Sequence, residues 1–158
     1  MKIELQAIKI HKGLSEETYC YTDTVLVDGV KAFHASNHGH GGCDMYQPVN
    51  GYSGPSELEI SAWLKANKEP CVSHGMTLEY DLELLVGELL DAHERKTTLA
   101  RMLKSKILVM VEHDGAPALA SYPARVKPTP ENIARVAAKG DKVVNGNAEL
   151  ETAALALV

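Results

Sequence analysis

Asp28-Gly29 stands between two runs of strand-forming residues, and no other pair in the chain limits the fold so sharply. On one side lies Thr18–Val27, T-Y-C-Y-T-D-T-V-L-V, rich in β-branched and aromatic side chains that fit a pleated, half-buried surface. On the other lies Val30–Asn37. Asp-Gly between such runs predicts a two-residue type I′ turn, in which both central residues take positive φ. Residues 2–10 supply a further strand. Ile3, Leu5 and Ala7 alternate, then the phase slips to Ile8 and Ile10, which predicts a bulge near Ala7-Ile8. The expectation is an antiparallel meander of three strands over residues 2–37.

The tight turn also predicts a register. With Val27 opposite Val30, Val25 falls opposite Ala32 and Asp23 opposite His34. Cross-strand partners on one face are near enough for the Asp23 carboxylate to orient the His34 imidazole. The plainer alternative is an exposed charge pair on the solvent face.

Helices follow. Ser56-Glu57-Leu58-Glu59 is an S-x-x-E capping box that opens a helix over 56–67, with Ile60, Trp63 and Leu64 on one side and Pro70 beyond its end. Trp63 reads as a core anchor. Over 78–104, Leu82, Leu85, Val86, Leu89, Leu90 and His93 recur at helical spacing, with His93 read as a core histidine. Acidic residues crowd the start of this segment and basic ones its end, an order that complements the helix dipole. Thr97-Thr98 is a candidate break within it. Asp114-Gly115 marks a second hairpin over 106–125, which Pro117 and Pro123 place at a sheet edge. Thr129-Pro130 starts a helix with Ile133, Val136 and Ala137 facing inward, and Gly140 ends it. The Ala/Leu/Glu-rich terminus completes a helical region over 130–158. The fold class is α+β: a single domain of antiparallel meander and hairpins packed against a long amphipathic helix.

Composition narrows the function classes. At 158 residues the chain can bury a real core, and no internal repeat or low-complexity linker divides it. A formal net charge of -5 argues against general nucleic-acid binding, which needs a basic surface. No apolar run approaches the roughly 18 residues of a membrane span. Met1-Lys2-Ile3-Glu4 does not open a signal peptide. Cys20, Cys43 and Cys71 are odd in number and irregular in spacing, so a disulfide framework is not expected and a reducing cytoplasm is. Self-association is left open.

Reactive groups concentrate in one place. Phe33–Tyr46 reads F-H-A-S-N-H-G-H-G-G-C-D-M-Y and leads into a Pro/Gly/Asn-rich loop. His34, His38, His40 and Cys43 are ligand types for a tetrahedral zinc, with Cys71-x-x-His74 as a stray second pair. Alternatively Asn37, His38, Gly39, His40, Gly41 and Gly42, with Asp44 and Tyr46 after them, form a glycine-rich binding loop. Such a loop reaches left-handed conformations and offers main-chain N–H groups to an anion or a partner. The bland reading is a strand-exit loop with solvated histidines and Cys43 buried as a small apolar residue. Cys43 or Cys71 beside a histidine would make a nucleophile, although Asp44 next to Cys43 opposes thiolate formation. Arg95 or Arg101 would join the loop amides in holding the phosphates of a small anionic messenger. Phosphate-loop, dinucleotide, zinc-protease and hydrolase-elbow motifs are absent from the sequence.

The opening K-I-E-L-Q-A-I-K-I, the hairpin V-L-V-D-G-V-K-A-F and the run Asn37–Cys43 together resemble a loose group of small bacteriophage and prophage proteins. The helix Asp81 to Leu90 and the strand Lys104–Val111 extend the resemblance over roughly the first two thirds of the chain. It implies a loop built by its asparagine and glycines more than by its histidines, and it carries over no catalytic residue. It also implies a non-enzymatic protein of the host cytoplasm that binds a host factor, such as an immune effector or its nucleotide messenger.

Overall fold

Asp28 and Gly29 both take positive φ, 49° and 82°, so the turn that the sequence predicts is the one that forms. The computed structural model describes residues 1–73 and 75–158. His74, and with it the Cys71-x-x-His74 pair, lies outside the described residues. The architecture is α+β, with antiparallel sheets and four helices among the described residues. Contacts group the chain into two compact units, residues 1–90 and 91–158.

In the first unit, β1 (Ile3–Ile10), β2 (Cys20–Val27), β3 (Val30–His38) and β4 (Met45–Pro48) form an antiparallel sheet in sequence order. The bulge expected in β1 is present. Gln6 pairs with Thr24 and Lys9 with Thr22, which leaves Ala7, at φ 58°, and Ile8 opposite Asp23 alone. The meander gains a fourth strand where the sequence predicts only loop. Met45–Pro48 pairs with Phe33–Ser36, and Pro48 is tolerated because β4 is an edge strand.

One expected register is overturned. Val27 does pair with Val30, but Leu26 pairs with Lys31 and Val25 with Phe33, so Ala32 is an extra residue in β3. That single insertion flips every later side chain of β3. Asp23 therefore lies opposite Ala35 and faces the core, while His34 lies opposite Thr24 and faces solvent. The Asp23–His34 pair does not form.

α1 (Glu57–Asn67) starts at the capping box, with Ser56 Oγ accepting from Glu59 N–H and the Glu59 carboxylate accepting from Ser56 N–H. Ile60 and Leu64 are buried, and Trp63 packs half-buried against the same core. The bridge after α1 is a small hairpin, β5 (Cys71–Ser73) with β6 (Met76–Leu78). The long helix α2 (Leu82–Ser105) consequently begins four residues later than expected, with Asp81 Oδ1 accepting from Leu84 N–H at 2.8 Å. Leu82, Val86 and Leu90 bury against Val25, Ala32, Phe33 and Ala35 of the sheet. Thr97 and Thr98 do not break α2. Their hydroxyls bond back one turn, to His93 and Glu94, and so leave the backbone ladder intact.

In the second unit, β7 (Leu108–His113) lies between β8 (Ala116–Ser121) and β9 (Lys142–Val143), so the Pro117 strand sits at an edge as expected. The apolar run entering β7 is covered on both faces at its start, while Val111 further along is exposed. Leu108 packs with Leu99, Val144 and Ala154 of α4 (Ala148–Ala154), whereas Ile107 and Val109 pack with Val136 of α3 (Pro130–Ala137). Ala137, expected inward, is exposed. Among the described residues no helix is long and apolar enough to cross a membrane.

Candidate functional site

The inner face of the first sheet changes character along its length. At the hairpin end it carries Val25, Val27 and Phe33, and at the other end Tyr21, Asp23, Asn37 and Tyr46. β-Strand alternation places these side chains on one face, and the antiparallel register brings Asp44 up beside Asn37.

Asn37 organises the turn between β3 and β4. Its Oδ1 accepts from the Thr18 hydroxyl at 3.0 Å and from Gly39 N–H at 2.8 Å. Its Nδ2 donates to the Gly42 carbonyl at 2.7 Å and to Asp44 Oδ1 at 2.9 Å. Asp44 Oδ2 accepts from the hydroxyls of Tyr21 at 2.5 Å and Tyr46 at 2.9 Å. The Gly39 carbonyl receives the N–H groups of Glu16, Glu17 and Thr18 at 3.0, 3.1 and 3.5 Å. A Cβ on Gly39, which sits at φ 87°, would overlap the Leu14 carbonyl oxygen and stand 2.9 Å from Cys20 Cβ. The glycine is there for close backbone approach.

These bonds revise the picture of an anion-binding loop. Gly39 N–H is taken by Asn37, and Gly41 N–H points to Thr18 Oγ1 at 3.4 Å. These two glycine amides brace the turn and are not turned out toward an anion. Outside the brace, His38, His40, Gly41, Gly42, Cys43 and Met45 are exposed. Cys43 is thus at the surface and not buried as a small apolar residue.

The zinc tetrad is not assembled. His34 and His38 lie on one strand, and four residues of β-structure separate them by roughly 13 Å. His40 turns to Glu16, with Nδ1 and Oε2 3.2 Å apart. Among the described residues no three His, Cys, Asp or Glu side chains come together as a metal-holding group. His34 lies instead in an open hollow of about 620 Å³ on the solvent face, with Thr22, Thr24, Ser36 and Gln47. Arg95 and Arg101 belong to the second unit.

Electrostatically the inner cluster is one-sided. Asp23 is 5% exposed, and neither carboxylate oxygen has a hydrogen-bond partner among the described residues. Burial, and then the Asp44 charge, push its pKa up to about 7. Burial raises Tyr21 and Tyr46 above the ordinary phenol range, with Asp44 adding to both. Glu83, on the first turn of α2, is raised by burial and by Asp44, although Asp44 N–H donates to it. Sequence reasoning found Asn37, Asp44 and Tyr46 but missed Tyr21, Thr18 and Glu83. Thr18 and Tyr21 lie some twenty residues away across the sheet, and the register that joins them depends on the Ala32 bulge.

Comparison with known proteins adds no relative: no family model, no curated protein and no solved structure matches this chain.

Proposed function

We propose that this chain is a non-enzymatic binding protein whose contact surface is the braced turn Asn37–Tyr46. The observation that carries the reading is the bracing itself. Seven hydrogen bonds hold the turn from within, while His38, His40, Cys43 and Met45 stay exposed. A turn fixed before it meets its partner loses little conformational freedom on binding, which favours affinity. Because the Gly39 and Gly41 amides are engaged within the chain, a protein partner fits better than a small anionic messenger. Charge supports a partner with a basic surface. Residues 1–90 hold six lysines against thirteen carboxylates, net −7, while residues 91–158 hold ten basic against eight acidic residues, net +2. The resemblance to phage and prophage proteins supplies a setting in which that partner is a host defence factor.

Gly42 gives the cleanest test, because a Cβ added there meets nothing within 4 Å and the position is exposed. Gly42→Trp is expected to leave the thermal midpoint unchanged. It is also expected to weaken binding to the host protein that the wild-type chain retains by at least tenfold in calorimetry. Undiminished binding by Gly42→Trp, or substrate turnover by the purified chain, would overturn the proposal.

A further inference from the structure

We propose that Asp23 is a proton-operated latch on the turn Asn37–Asp44, holding it closed when neutral and loosening it when ionised. This inference rests on the reading of that turn as the contact surface and names what regulates it.

The geometry is that of a carboxyl group with nowhere to put a charge. Asp23 lies in β2, an interior strand of its sheet, with the Ala7-Ile8 bulge on one side and the small Ala35 on the other. Its two oxygens are buried and have no hydrogen-bond partner among the described residues. The ionisable groups of the cluster are Tyr21 from its own strand, Asp44 and Tyr46 from the edge, and Glu83 from α2, with Glu57 of α1 acting on Glu83 in turn. Ala7, Ile8, Ala35 and Asn37 bring no ionisable group. Every carboxylate in the set repels a second negative charge, and no basic side chain appears among these interactions.

Ionised Asp23 is therefore a buried charge facing the Asp44 carboxylate. The element that can give way is β4, four residues long, paired along one side and ending at Pro48. Moving Asp44 outward releases Tyr21, Tyr46 and Asn37. Asn37 is the group that holds Gly39 N–H and the Gly42 carbonyl, so the turn loosens with it. A proton on Asp23 removes the repulsion and lets the brace persist. The elevated carboxyl pKa places this exchange near neutral pH.

The test is nuclear magnetic resonance on the full chain with no partner present. The Asp23 carboxyl carbon is followed across the range from acid to alkaline pH, together with hydrogen exchange at the Gly39 and Gly41 amides, corrected for the intrinsic effect of pH. We expect protection of both amides to fall at least tenfold on the same midpoint as the Asp23 titration. Asp23→Asn should keep that protection flat. A titration of Asp23 in the ordinary aspartate range, or protection that ignores the titration, overturns the latch. Should Asp23→Asn fail to fold, the two wild-type curves decide alone. These readouts need no partner, so a failed latch leaves the contact-surface reading to its own Gly42→Trp test, and the reverse also holds.

Discussion

Among the glycines of the turn, Gly39 and Gly42 differ in what they do, although the sequence writes them alike. Gly39 combines φ 87° with backbone approaching from Leu14, so a methyl group there meets both conformational strain and overlap. Gly39→Ala is expected to cost about 3 kcal/mol, the sum of a left-handed penalty and a forced shift of backbone. Gly42→Ala should stay within about 0.5 kcal/mol, because the added carbon meets nothing. Urea denaturation of the two variants separates them, and equal losses would mean that the turn is not braced as described. Gly41 is intermediate: its φ of 78° is strained for a side chain, but the atom it would meet is the movable end of Glu17.

At the scale of elements, most of the fold was legible because local chemistry decided it. The Asp28-Gly29 and Asp114-Gly115 turns, the Ala7 bulge, the capping box at Ser56 and the Thr129-Pro130 start each depend on residues within a few positions. Ser56→Ala should accordingly cost about 1 kcal/mol in thermal or urea unfolding, the usual effect of losing an N-cap. What could not be read were β4, β5, β6 and β9, strands of two to four residues whose pairing partners lie far away or whose side chains lack a pattern. The Ala32 bulge was equally silent, since alanine carries no bulge signal, and it decided which residues meet at the site. Asn37, Asp44 and Tyr46 were named as loop residues, but their partners could be found only once that register was known. The corrected register has its own check. His34 faces solvent, so His34→Ala should leave both stability, within about 0.5 kcal/mol, and the Asp23 titration unchanged. A shift in that titration would restore the pairing that the bulge rules out.

For the molecule as a whole, the same one-sided burial sets the pH dependence of folding. Asp23 and Glu83 are raised above their unfolded values, chiefly by burial, so between the two values the folded chain binds more protons than the unfolded one. Stability therefore falls as pH rises through that interval. For Asp23, displacement from the ordinary aspartate value to about 7 corresponds to a loss of about 4 kcal/mol across the interval. Tyr21, Tyr46 and Tyr80 are raised as well, the last to about 12 through its bond to Glu88 and burial, so a second fall follows above the ordinary phenol pKa. The charge balance acts in the same direction, since lowering the pH toward the pI of about 5.8 relieves self-repulsion. Glu59 is lowered by its bonds to Ser56, but it is too exposed to reverse the trend. Urea denaturation at a series of pH values should place maximum stability on the acid side of neutrality, with a decline through pH 7. Asp23→Asn should remove most of that decline while leaving the alkaline fall in place. A wild-type maximum at or above neutral pH would mean that the Asp23 carboxyl is not carried into the sheet unpaired.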